Sequence, residues 1–307
     1  MTEKPKGSFS KGVGQWIGAA EVYDAAGEFA GNGTDTRTVE ADDGQGAVTV
    51  NVTFSGPFSL AGQYTISDQK THRLYQGPLN YGYADALGEG LVAAHNYWPD
   101  HGLSQRFFLM VLPDGSRQLS LALLSRGESL RWTVVGEYQR QTDPASPEPP
   151  PVVPIDPIVV AGDPTAGRGA ILLHRPGRWV GELVVLNGAG ESVGSTRYAE
   201  MVSQDDNDDG VRVELSGIGP VADTSFSMST DGWSAWTPPG DVVGSCSLSG
   251  GRGLSGSFLH HAEALRVWRR EVVSQDGTLK GVVHIWYQGE ERIGVVHGVL
   301  DFEPADG

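Results

Sequence analysis

The sequence predicts an all-β protein built as two tandem antiparallel β-barrels related by an internal repeat. Three observations carry this. The stretch Gly14-Gln15-Trp16-Ile17-Gly18 returns as Gly177-Arg178-Trp179-Val180-Gly181, and the turn pair Asp114-Gly115 returns as Asp276-Gly277. The two landmarks keep spacings of 163 and 162 residues, which marks a duplicated unit. Between turn signals the chain then alternates apolar and polar residues with period 2, without a helix-period segment of useful length.

Composition sets the outer limits. With 39% hydrophobic and 20% charged residues in 307, the chain has material for two ordinary cores. Its 43 glycines and 18 prolines suit many short strands joined by turns. A formal charge of -16 sets it against nucleic-acid backbones and anionic lipid surfaces, so neither is an expected partner. The single cysteine, Cys246, excludes an internal disulfide framework and a multi-cysteine metal centre. Residues 1–7 lack the apolar segment of a signal peptide, and no run reaches the roughly 20 apolar residues of a membrane-spanning helix. The expectation is a cytoplasmic chain, and nothing in the sequence fixes its oligomeric state.

In chain order, residues 1–11 read as a flexible tail and residues 12–141 as the first barrel. There Val48, Val50, Val52 and Phe54 alternate with Thr49, Asn51 and Thr53, and the pattern returns at Leu119, Leu121 and Leu123 and at Leu130, Trp132 and Val134. Residues 142–166 are dense in proline, which cannot join a central sheet, and read as a semi-rigid linker. Residues 167–307 repeat the run of strands. Roughly ten antiparallel strands per unit must hide their edges, and closure does so most completely.

The Gly-x-Trp at the head of each first strand resembles the signature of the calycins, the lipocalin and fatty-acid-binding-protein group. Two such units in one chain resemble the tandem lipocalin-like proteins, among them carotenoid hydratase-like enzymes and natural-product cyclases. The resemblance implies that each tryptophan plugs one barrel end against a basic residue of the last strand, with Arg131 and Arg292 as the candidate cations.

Hairpin counting places the candidate site. A turn centred on Asp114-Gly115 sets Met110 opposite Leu119, Phe108 opposite Leu121 and Arg106 opposite Leu123, and this apolar face is expected to line the barrel. The preceding loop sets Arg106 opposite His95 and Ser104 opposite Tyr97. That gives a catalytic trio of His95, Tyr97 and Arg106 in a greasy interior, with Phe108, Met110, Leu119, Leu121 and Leu123 as ligand contacts. The same counting at Asp276-Gly277 puts Arg266, Trp268, Arg270, Val283, Ile285 and Tyr287 inside the second barrel, as an anion pocket or a structural filling. A register slip of one residue reverses all of these assignments.

Other signals are discounted. Asp205 to Gly210 matches the start of a calcium loop, but Ser216 stands where its bidentate Glu belongs. The glycines of Gly251 to Gly256 lack the strand-to-helix setting of a dinucleotide site. His260 and His261 are adjacent and point to opposite faces of a strand. No metal and no cofactor is expected.

The functional expectation is a cofactor-independent enzyme that holds an apolar, polyketide- or terpenoid-like molecule in a barrel and cyclises, isomerises or hydrates it. Arg106 or Tyr97 would polarise a carbonyl, and His95 would move the proton. The alternative is a carrier for an apolar ligand. A third reading, a scaffold with filled barrels, corresponds to a cavity well below about 300 Å³.

Overall fold

The computed structural model describes residues 9–41, 47–69, 72–85, 87–142, 175–204, 211–217, 223–230 and 234–305. They form two compact units. The first contains β1 (Gly14–Tyr23), β2 (Phe29–Ala41), β3 (Val48–Ser55), β4 (Leu60–Gln69), β5 (His72–Gln76), β6 (Tyr81–Asp85), β7 (Leu91–Trp98), β8 (Leu103–Val111), β9 (Arg117–Arg126) and β10 (Ser129–Gln141). The second contains β11 (Gly177–Asn187), β12 (Ser192–Gln204), β13 (Val211–Ser216), β14 (Thr224–Thr230), β15 (Ser234–Trp236), β16 (Val242–Ser249), β17 (Gly253–His260), β18 (Leu265–Val273), β19 (Leu279–Gln288) and β20 (Glu291–Pro304).

Each unit is a closed antiparallel meander. Every strand pairs with its neighbours in sequence, and the first strand also pairs with the last, β1 with β10 and β11 with β20. Among the described residues closure leaves no strand at a sheet edge, which is how a chain of short strands avoids pairing with other chains. The candidate calcium turn Asp205 to Gly210 and nearly all of the proline-rich segment lie outside the described residues. Among the described residues no helix is long and apolar enough to cross a membrane.

The repeated motif builds the same corner twice. Gly14 and Gly177 open β1 and β11 at φ 133° and 148°, a region open to glycine and strained for other residues. A Cβ on Gly14 would lie 2.7 Å from the Arg140 guanidinium, and one on Gly177 would lie 2.6 Å from the Phe302 ring. Both glycines thus let a side chain from the last strand fold over the barrel end. The hairpins that follow close through Asp24 and Asn187, whose side-chain oxygens accept two backbone N–H bonds each.

The first barrel begins earlier than expected: Phe9–Gly12 form a turn of 3-10 helix, with Phe9 buried in the lumen end. Trp16 Nε1 donates to Gly12 O at 2.7 Å, and the Arg140 guanidinium lies 4.4 Å from the Trp16 ring while donating to Lys11 O and Gly115 O at 2.8 Å. The cation at this tryptophan is therefore Arg140 rather than Arg131, which is exposed. At Trp179 the last strand contributes Phe302, at 4.8 Å, and the cation is the Lys280 ammonium of β19, at 5.0 Å. Arg292 instead donates to Gly188 O at 3.0 Å.

Candidate functional site

The hairpin registers are those counted from the sequence. Met110 pairs with Leu119, Phe108 with Leu121, Arg106 with Leu123 and His95 with Arg106. In the second barrel Arg266 pairs with Tyr287, Trp268 with Ile285 and Arg270 with Val283. The face is the reverse of the expected one. The lumen of the first barrel is lined by the other set: Phe107, Leu109, Ala122 and Leu124, with Trp16, Val52, Phe54 and Val134 from the remaining strands. Phe108, Met110, Leu119 and Leu121 are buried on the outer face of the sheet, with Leu123 half-buried beside them.

His95, Tyr97 and Arg106 are brought together as expected, but outside the barrel. They line an open groove of about 730 Å³ with Tyr81 and Tyr83, which are 53% and 58% exposed. Tyr83 packs against His95 at 5.6 Å between ring centres and Tyr81 against Tyr97 at 5.4 Å. This is a wet surface, and the electrostatic gain of a dry pocket does not apply there. In the second unit Arg266, Trp268, Arg270 and Tyr287 likewise stack on the outer face, with Arg266 5.0 Å from the Tyr287 ring. Val283 and Ile285 are buried on that face. The second lumen is filled instead by the residues that alternate with them, Arg269, Glu271, His284 and Trp286.

Sequence reasoning missed the polar layer inside the first barrel. Asp35 and Arg37 of β2 face Tyr138 of β10 across β1. Arg37 donates to Asp35 Oδ2 from Nε at 3.1 Å and to Tyr138 Oη at 2.7 Å. Tyr138 Oη donates to the same Asp35 Oδ2 at 3.0 Å and accepts from Ser120 Oγ at 3.1 Å. The guanidinium also sits 4.2 Å from the Tyr138 ring and 5.1 Å from the Phe107 ring. Burial works against its charge, but Asp35 and then Tyr138 outweigh that and raise its pKa. Burial pushes the phenol of Tyr138 well above its usual range and that of Tyr64 up to about 12, so both stay protonated at neutral pH.

Arg37, Tyr64 and Phe107 form a diaphragm that divides the lumen. Above it lies a void of about 40 Å³ and below it one of about 20 Å³. Phe9 closes the lower end. Phe58, on the loop 56–59 between β3 and β4, closes the upper end by stacking on Phe54 at 4.6 Å and Trp132 at 5.6 Å. Several residues that line the voids carry buried polar atoms with no hydrogen-bond partner: Asp35 Oδ1 at the upper void, and Tyr75 Oη with both amide atoms of Gln118 at the lower one. Buried polar atoms ordinarily have partners, and their loss costs about 1–3 kcal/mol each.

The second lumen has a polar layer at the same level, but it is closed on itself. Arg269 donates to Glu271 Oε1 at 2.8 Å and to Glu200 Oε2 at 2.7 Å. Lys280 Nζ reaches Glu200 Oε1 at 3.0 Å and Glu271 Oε2 at 3.1 Å. Tyr198 Oη donates to Glu200 Oε2 at 3.0 Å, and His284 Nε2 lies 3.1 Å from Glu271 Oε1. Burial opposes charge on Glu271, but Arg269 and Lys280 overcome it and hold the carboxyl well below its usual range; burial lowers the His284 pKa. Two carboxylates meet two cations, every carboxylate oxygen is engaged, and the remaining void is about 10 Å³. Such a layer specifies packing and leaves none of its own carboxylate oxygens to a ligand. Among the described residues the unpartnered atoms of this lumen are the indole N–H groups of Trp179 and Trp286, and its void is too small to admit a ligand. Cys246, also in this lumen, has its thiol pushed up to about 12 by burial and is no nucleophile.

No family model matches the sequence, and no curated protein matches it. Among solved structures the chain is similar to a protein of unknown function of the DUF3598 family from Nostoc punctiforme, with TM-score 0.58 and 12% identity over 99% of this chain and 100% of that one. The tandem-barrel fold is thus shared end to end. The S-type phycobiliprotein lyase CPES of Guillardia theta overlays 44% of this chain and 91% of its own at TM-score 0.34 and 10% identity. Kievitone hydratase of Nectria haematococca overlays 98% and 92% at TM-score 0.18 and 8% identity. The last two overlaps are too loose to argue from.

Proposed function

We propose that this tandem-barrel protein binds a small, largely apolar molecule in the lumen of its N-terminal barrel, and that the C-terminal barrel is structural. The observation that carries the reading is the contrast between the two polar layers. The layer of the second barrel satisfies itself, whereas that of the first leaves buried hydrogen-bonding capacity beside voids, in an otherwise apolar lumen. The voids are far below the roughly 300 Å³ that a ligand pocket needs. Admission of a ligand therefore requires the Phe58 loop to swing out and the diaphragm to part. A groove on the outer sheet, with His95, Tyr97 and Arg106, takes no part in this reading.

Catalysis is the finer reading. Asp35 would take a proton from an acidic position of the bound molecule and return it elsewhere, with Arg37 and Tyr138 holding the carboxylate in place. That is the equipment of a cofactor-independent isomerase, cyclase or hydratase. A carrier would use the same lumen without turnover. Native mass spectrometry of protein purified from its own host, followed by chromatography of what it releases before and after incubation, separates the two.

Binding itself is tested with N-phenyl-1-naphthylamine, a neutral apolar fluorophore. Saturable binding at one site per chain is expected, weakened at least about tenfold by Ala122→Leu, which fills the upper void, and unchanged by His95→Ala. Absence of saturable binding would count for the filled-scaffold reading.

A further inference from the structure

The polar layer of the first barrel also says which chemistry the ligand carries. Taking the lumen as the binding site, as proposed above, we infer that the ligand is a neutral hydroxyl compound, an alcohol or phenol whose O–H donates to Asp35 Oδ1, and that carboxylates are rejected. Two features of the layer lead there.

The first is valence. Asp35 Oδ2 already receives Arg37 and Tyr138, and Ser120 is spent on Tyr138. Asp35, 4% exposed, lines the upper void, and its Oδ1 has no hydrogen-bond partner. An ionised carboxylate oxygen accepts only, so what it requires from a ligand is a donor. The second is charge. Among the described residues Arg37 is the only cation lining the upper void, and Asp35 matches it one to one. An anionic ligand would enter a low-dielectric lumen beside an existing carboxylate, with no cation left for it, and burying an unpaired charge is far costlier than burying a hydroxyl. Most of the remaining lining, Val52, Phe54, Leu60, Leu124 and Val134 among it, is apolar and suits the hydrocarbon body; the polar side chain of Gln105 also lines the void, its Oε1 accepting from Trp98 Nε1 at 3.0 Å.

Three compounds of one skeleton make the test: 2-naphthol, 2-methoxynaphthalene and 2-naphthoate, titrated calorimetrically into the full chain at pH 7. We expect 2-naphthol to bind at least about tenfold more tightly than either of the others, because a site built to receive an O–H leaves its acceptor unpaired when that group is missing. Equal affinities, or naphthoate binding best, would overturn the inference while leaving lumen binding intact. Binding of none of the three would instead remove the lumen reading, and the inference with it.

Asp35→Asn sharpens the result. Two donors hold the Oδ2 position, so the amide oxygen settles there and Nδ2 takes the place of Oδ1. The site then offers a donor and gains a net positive charge. The order should invert, with naphthoate ahead of naphthol; retention of the wild-type order in a folded variant counts against the assignment. The wild-type series decides the matter alone should this variant fail to fold.

Discussion

Gly18 shows how a single missing Cβ shapes the site. It lies opposite Tyr138 on β10 and Asp35 on β2, and a Cβ there would come within 2.0 Å of the Tyr138 ring. The ring can lie across β1 and deliver its hydroxyl to Asp35 because glycine leaves the room. At its counterpart Gly181 an added Cβ would first meet the backbone of β20, at 2.5 Å from Val299 O, and then the Leu300 side chain at 2.9 Å. Gly18→Ala should therefore destabilise the first unit by about 1–3 kcal/mol, the usual cost of overfilling a packed interior. Urea unfolding with the double variant Gly18→Ala/Tyr138→Ala as control checks this. An unchanged midpoint in the single variant, or no relief in the double relative to Tyr138→Ala alone, would mean that the ring is not held by that contact. The glycine was visible in the sequence as part of the repeated motif, but the identity of the side chain above it depends on which residue of β10 arrives there. That is a matter of tertiary register.

At the level of strands and loops, the sequence was legible to the register and no further. The pairings around Asp114-Gly115 and Asp276-Gly277 follow from the turns. The lumen face does not, because β8 and β9 are apolar and buried on both sides. Phe107, Leu109, Ala122 and Leu124 face inward, while Phe108, Met110, Leu119 and Leu121 are buried outward. Period-2 hydrophobicity marks a lumen only where the other face is wet. The polar layer was hidden for a second reason. Counted from the turn closed by Asp24 and Glu28, Trp16 would face Thr36. A bulge between Val22 and Tyr23 shifts the pairing by one, so that Trp16 faces Arg37. The second barrel bulges at the same place, between Val185 and Leu186, and brings Trp179 opposite Glu200. A bulge inserts one residue without an obligatory sequence mark and re-aims every side chain beyond it. The loop 56–59 carries the next prediction. Phe58 is the only one of its residues stacked in the mouth, on Phe54 and Trp132. Phe58→Ala should accelerate association of N-phenyl-1-naphthylamine about tenfold in stopped-flow mixing, since gating loops commonly limit access to closed sites. An unaltered association rate would place the ligand's route elsewhere.

Across the whole molecule, the two units keep the same barrel and complete its interior layer differently. The register with the motif tryptophan makes Arg37 the counterpart of Glu200, and Asp35 that of Tyr198. The first copy completes this layer with Tyr138 and Ser120 and stays open at Asp35; the second completes it with Arg269, Glu271, Lys280 and His284 and is closed. The closed layer has a consequence in acid that runs against the overall charge. Between pH 7 and the isoelectric point near 4.8, protonation relieves the self-repulsion of an acidic chain, and on that ground alone both units should gain stability. In the second unit burial lowers the pKa of His284 and of His260, so the unfolded chain takes up protons there that the folded chain refuses. A depressed histidine costs nothing above its unfolded value near 6.5 and removes stability as pH falls below it. Glu271, held below its usual range, adds a further loss only as pH falls below about 4.5. The second unit should accordingly unfold at lower urea as pH goes from 7 to 5.5, while the first does not follow it. Pulse-labelled amide exchange at one fixed labelling pH, after equilibration in urea, reads the two units separately through their peptides. In His284→Gln, which keeps a donor toward Glu271 without a titrating ring, the loss should shrink. A second-unit midpoint that holds steady or rises between these pH values would show that the layer does not govern acid stability.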